Sequence, residues 1–81
     1  MRNTKLLVVD DEHLIRWSLE QSLMKQGYDV ATAASGEEAV KQIQDDAPEL
    51  VLLDIQLPGM DGLEVLEKIK EIDSEIIVVM V

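Results

Sequence analysis

Three aspartates carry most of the chemistry that this chain can offer. Asp10 and Asp11 stand side by side after the apolar run Leu6-Leu7-Val8-Val9, and Asp54 ends a second run, Leu50-Val51-Leu52-Leu53. Each has a plain structural reading. Asp10-Asp11-Glu12 at the start of a helix is favourable by a few tenths to ~1 kcal/mol per residue. Asp54 reads as a turn residue, but the next helix begins only near Gly62, too late for Asp54 to cap it. Gathered in one place, the three change character. Two like charges ~4 Å apart repel by roughly 4 kcal/mol at an effective dielectric of ~20, so a trio of carboxylates needs a cation. Hard oxygen ligands with an octahedral shell completed by water point to Mg2+.

The elements that must position these acids follow from the periodicity. Leu6–Val9 is a first strand. From Glu12 to about Gln26 the spacing turns helical, with Ile15, Leu19 and Leu23 on one face and Gly27 in the usual position after a helix end. Tyr28 to Ala33 is a second strand of alternating polar and small residues, suited to a partly exposed edge. Ser35-Gly36-Glu37-Glu38 has capping-box spacing and opens a second helix through Ala39, Val40 and Ile43 to about Asp45. Leu50–Leu53 is the third strand. Pro58-Gly59 suits the centre of a type II turn, and Asp61 or Gly62 starts a third helix running to Ile72, with Leu66 and Ile69 inward. Ile76 to Val81 is the fourth strand. Strands alternating with helices imply parallel pairing with helices on both faces. Strands 1, 3 and 4 are continuously apolar, as strands covered on both faces are. With strand 2 at an edge beside strand 1, right-handed crossovers favour the order 2-1-3-4. That order sets Asp10, Asp11 and Asp54 at the topological switch point, where open α/β sheets bind ligands. It also leaves the apolar strand Ile76–Val81 as an open edge, which natural sheets avoid. The expectation is a piece of a longer fold, or a chain that completes its sheet through self-association or strand exchange.

Composition narrows the classes further. Eighty-one residues allow one small domain, burying about 60–65% of its unfolded surface. Seventeen acidic against seven basic residues give a formal charge of −10. Such a polyanion is a poor partner for phosphate backbones or anionic lipids. No cysteine is present, which excludes disulfides, thiolate metal sites and cysteine catalysis. His13 is the one histidine and cannot build a histidine metal cluster. No apolar run approaches the ~20 residues of a membrane span. The N-terminus enters a strand without a signal-peptide core, so the expected location is the cytoplasm.

Leu6-Leu7-Val8-Val9-Asp10-Asp11-Glu12, followed by Leu53-Asp54-Ile55-Gln56-Leu57-Pro58-Gly59-Met60-Asp61-Gly62, resembles the receiver domain of bacterial two-component response regulators. Gly27-Tyr28-Asp29-Val30 and Ala34-Ser35-Gly36-Glu37-Glu38-Ala39 match the family's pattern as well. The resemblance covers residues 1–81, as the N-terminal portion of a receiver. It implies a flavodoxin-like three-layer α/β/α fold that lacks the family's fifth strand and last two helices. It also implies roles. Asp54 matches the phosphoacceptor, which takes a phosphoryl group from a sensor histidine kinase. Asp11 matches the direct Mg2+ ligand, together with Asp54 and the backbone carbonyl of Gln56, and Asp10 holds the metal through water. Gln56, two residues after the acceptor, would face the mouth of the site and influence hydrolysis of the acyl phosphate. The wording of the Gly-Tyr-Asp-Val and Leu-Pro-Gly-Met-Asp-Gly-Leu-Glu-Val-Leu segments is similar to regulators whose output is transcriptional, with an ATPase and a helix-turn-helix.

Two residues of the family pattern are missing: a Thr or Ser just after strand 4, and a Lys ending a fifth strand. Lys68 and Lys70 lie on the third helix and do not stand in for that Lys. Phosphorylation and switching are therefore expected to be impaired or lost, with cation binding surviving in weaker form if the chain folds. Arg16, Trp17 and Glu20 flank the acids and are candidates for kinase contact, although a lone Trp on a helix more often packs. His13 reads as an exposed helix residue. Two other classes stay open: an interaction module that binds without chemistry, and an aspartyl-phosphate phosphohydrolase. The latter commonly has an Asp two residues after its nucleophile, where this chain has Gln56.

Overall fold

A computed structural model describes residues 3–81. The elements are β1 (Lys5–Val9), α1 (His13–Lys25), β2 (Asp29–Ala33), α2 (Gly36–Asp45), β3 (Leu50–Leu53), α3 (Gly62–Ile72) and β4 (Ile77–Met80). The four strands form one parallel sheet in the order β2-β1-β3-β4, as the right-handed crossover rule requires. Register runs straight across it: Val9 is level with Ala33 and with Leu53, and Leu53 with Met80.

Local chemistry explains the element ends. Ser35 Oγ accepts the amide of Glu38 at the start of α2, and the Glu38 carboxylate reaches back to the amide of Ala34, one residue before the cap. Asp61 caps α3 in the same way, accepting from the Glu64 amide. α1 has no side-chain cap at Glu12. Gly27 after α1 and Gly59 in the Pro58-Gly59 turn both take positive φ, the conformations that these positions demand.

One core forms between the sheet and the α2–α3 pair. Leu7, Val9, Ala33, Val51 and Leu53 from the strands meet Ala39 and Ile43 of α2 and Val65 and Ile69 of α3, and all are buried. Val65 carries this contact along with Ile69; Leu66, expected inward, is only partly buried. The opposite face is thinner. α1 packs on β1 and β2, where Leu6 and Val8 are buried, yet α1 has no buried residue of its own, and Ile15 is 44% exposed.

Coverage of β4 on both faces, expected from its composition, is not found. Ile77 is 59% and Val79 40% exposed, while Val78 and Met80 pack against the core. The reason is placement: α1 lies over the other half of the sheet, and no described element covers β4 on that side. Among the described residues no strand pairs with the outer edge of β4. Ile77 and Val81 donate their amides to Glu49 and Leu53 on the β3 side, so the two-residue period turns the amides of Val78 and Met80 outward. Lys70 Nζ occupies the first outward carbonyl, that of Ile76, at 2.5 Å and also reaches Ser74 O.

Candidate metal centre

The parallel ladder continues one residue past its strands. Asp10 donates its amide to Ala33 O at 3.2 Å and Asp54 donates to Val9 O at 3.0 Å. These bonds seat Asp10 and Asp54 side by side at the carboxyl edge of the sheet. There the chain leaves β1 toward β2 and leaves β3 toward β4, the crevice that open α/β sheets use. Asp11 follows in the β1–α1 loop. One carboxylate oxygen from each of Asp10, Asp11 and Asp54 lies within 4.8 Å of the others. The three acids converge as the strand order demands, although they come from segments more than forty residues apart.

Two of the acids are oriented by the same local device. Asp10 Oδ1 accepts the amide of Glu12 at 2.9 Å, and Asp54 Oδ1 accepts the amide of Gln56 at 3.0 Å, each two residues downstream. Asp10 is the one buried charged residue among the described residues, at 6% exposure; Asp54 is half-buried and Asp11 exposed. The Gln56 side chain is exposed and borders a groove of about 420 Å³ lined by acidic Asp10, Glu12 and Asp54 and by apolar Ile15, Leu19, Leu52 and Val81.

The donor set fits a hard divalent cation. All three side chains offer oxygen, the ligand that Mg2+ takes. Among the described residues no lysine or arginine forms an ion pair with any of them; the ion pair formed there joins Lys5 to Asp46, at the other end of the sheet. Arg16 donates to the backbone carbonyl of Asp10 at 2.7 Å and forms no ion pair with the carboxylates. A site of concentrated negative charge without a protein counter-ion is what a metal would neutralise.

The other sequence candidates fall differently. Trp17 is 50% exposed on α1, and Glu20 is half-buried. Arg16 is turned toward the acidic loop, so its guanidinium is not a free surface group. His13 is exposed, its Nδ1 3.4 Å from Arg16 Nη2. Lys68 is exposed on α3, and Lys70 is engaged with backbone carbonyls, so neither pairs with the three acids. Sequence reasoning missed the Arg16–Asp10 bond. Arg16 lies six residues after Asp10 and looked like a surface residue of a helix start, and only the fold of the loop brings the two together.

Comparison with known proteins agrees with this geometry. The family model of the response regulator receiver domain matches residues 6–81. Sporulation initiation phosphotransferase F of Bacillus subtilis is 44% identical over 80 residues, which is 99% of this chain and 64% of that protein. Transcriptional regulatory protein AfsQ1 of Streptomyces coelicolor is 48% identical over 69 residues, 85% of this chain and 31% of that protein. The crystal structure of a CheY-like response regulator receiver domain protein from Methanospirillum hungatei superposes with a TM-score of 0.95 at 35% identity, over 98% of this chain and 63% of that one. This chain thus spans about a third to two thirds of the relatives it resembles. The β2-β1-β3-β4 sheet, the acids at its switch point and the match over residues 6–81 lead to one conclusion: the chain belongs to the response regulator receiver domain family.

Proposed function

We propose that this chain is the phosphoacceptor of a two-component system, taking a phosphoryl group from a sensor histidine kinase onto Asp54 in the cytoplasm. The observation that carries this reading is the convergence of Asp10, Asp11 and Asp54 within 4.8 Å at the carboxyl edge of the sheet. Asp11, Asp54 and the backbone carbonyl of Gln56 would hold Mg2+ directly, and Asp10 would hold it through water. When bound, the ion neutralises charge on the phosphoryl oxygens, which is most of what phosphoryl transfer asks of a protein.

The chain's own residues supply the remainder. The Gln56 amide fixes Asp54 Oδ1, and the second oxygen has no hydrogen-bond partner among the described residues. That oxygen attacks the phosphorus of the donor phosphohistidine. As the oxygen–phosphorus bond forms, the phosphorus–nitrogen bond breaks; the histidine nitrogen keeps the electron pair and takes a proton. The product is an acyl phosphate on Asp54. The chain is an acceptor rather than an enzyme acting on a separate substrate, and slow self-hydrolysis past the exposed Gln56 would end the signal. The output we propose is transcription, by likeness to AfsQ1, whose name describes a transcriptional regulator. The open edge and bare face of β4 support a second proposal about partners, that a further copy of the chain pairs along Ile76–Val81.

Acetyl phosphate with Mg2+ tests the main reading. Intact mass spectrometry should show one phosphoryl group, stable in acid and labile in base, on the wild-type chain and none on Asp54→Asn. A folded wild-type chain that gains nothing, or an Asp54→Asn chain that gains as much, overturns it.

A further inference from the structure

We propose that Arg16 is the positioning residue of the acidic centre: it fastens the Asp10 carbonyl and so holds the Asp10-Asp11 doublet facing Asp54. The inference rests on the metal reading above. Arg16 Nη1 donates to Asp10 O at 2.7 Å in a partly buried setting. That carbonyl is one the sheet leaves over. Asp10 donates its amide toward β2, to Ala33 O, and a strand residue's carbonyl points the same way as its amide. β2 ends at Ala33, and the chain has turned into the cap of α2 by Ser35, so no ladder partner is in place.

Pinning this carbonyl matters most for Asp11. The carbonyl belongs to the rigid peptide plane that joins Asp10 to Asp11, so its direction sets the direction in which Asp11 leaves the strand. The Asp10 carboxylate has its own restraint, the Glu12 amide. Asp11 is exposed, and its carboxylate has no hydrogen-bond partner among the described residues. The peptide plane held by Arg16 is therefore what aims it.

The choice of acceptor is chemically telling. A guanidinium bonded to a carboxylate of the trio would occupy the oxygens that a cation needs. Bonded to a neutral carbonyl, Arg16 leaves those oxygens free. Its positive charge still opposes an incoming cation, so the two effects have opposite signs, and our proposal is that positioning outweighs repulsion. This gives a readout that a merely structural role would not produce.

Mg2+ titration by calorimetry of wild type, Arg16→Met, Arg16→Lys and Asp11→Asn, with circular dichroism of each, decides the matter. Arg16→Met should bind Mg2+ about tenfold more weakly, in the range typical of groups that orient metal ligands, while Arg16→Lys, which keeps a donor and the charge, stays within about threefold of wild type. Unchanged or tighter binding by a folded Arg16→Met overturns the proposal. Should Arg16→Met not fold, Arg16→Leu, which also lacks a donor, against Arg16→Lys asks the same question, and equal affinities of these two sink the idea. The two readings separate cleanly. Wild-type binding no stronger than that of Asp11→Asn refutes the metal site itself, whereas strong wild-type binding that Arg16→Met retains refutes only the role of Arg16.

Discussion

At the scale of the residue, the site trades stability for readiness. Asp10 and Asp54 each spend one oxygen on a backbone amide two residues on, which restrains the side chains without neutralising them. Their charges, with that of Asp11, face one another without a basic side chain paired to them among the described residues. Strain of this kind collects where function needs it. Asp11→Asn should therefore act in two directions. Losing the direct ligand proposed above should weaken Mg2+ binding by more than about tenfold, since even groups that only orient ligands cost that much. Removing a like charge should stabilise the metal-free chain. Asp11 is exposed and well solvated, so the gain is about 1 kcal/mol, the water-like limit for charges ~4 Å apart. Urea unfolding in EDTA checks the sign: an Asp11→Asn chain less stable than wild type would show that the acids do not repel as described.

At the scale of the element, α2 and α3 are held close by the absence of a side chain. Gly36, the first residue of α2, is buried, and a Cβ there would lie 2.6 Å from Val65 Cγ2 and 3.2 Å from Met60 Cβ. Val65 is itself fully buried in the one core, so it has nowhere to retreat. Gly36→Ala should cost about 1–3 kcal/mol through overpacking, read from the urea midpoint. A neutral result would mean that the helices slide apart freely. The same contact bears on the site, because Met60 belongs to the loop that follows Asp54, and that loop ends at the Asp61 cap of α3.

At the scale of the whole molecule, both outer strands of the sheet have an unpaired edge among the described residues, and the two differ in composition. β2 is an edge of polar and small residues, one of whose outward carbonyls, that of Thr32, accepts from Gln42, while β4 presents the outward amides of Val78 and Met80 and the exposed side chains of Ile77 and Val79. Apolar edges of this kind recruit other strands. Lys70 covers one carbonyl at the start of β4 and leaves the others open. The formal charge of −10 works against self-association, so salt should promote it by screening. We expect a solution mass above the monomer's 9.1 kDa at high concentration and moderate salt, by sedimentation or light scattering. A folded chain that stays monomeric throughout refutes pairing along β4.

The linear order of residues was enough to set the strand–helix alternation, the parallel order β2-β1-β3-β4 and the meeting of Asp10, Asp11 and Asp54. Apolar runs, cap residues and crossover handedness are local or topological properties, and a parallel sheet delivers all its strand ends to one edge. Three features needed the folded chain. The continuous apolar run of β4 suggested cover on both faces, but cover depends on which strands α1 lies over, and it lies over β1 and β2. Ile15, Leu19 and Leu23 share a helical face as their spacing requires, yet none is fully buried, since burial belongs to the partner surface as much as to the helix. Arg16 read as a surface cation near the acids. Its bond to the Asp10 carbonyl exists because β2 stops at Ala33 and leaves that carbonyl without a ladder partner, and a spacing along one segment cannot report where a neighbouring strand ends.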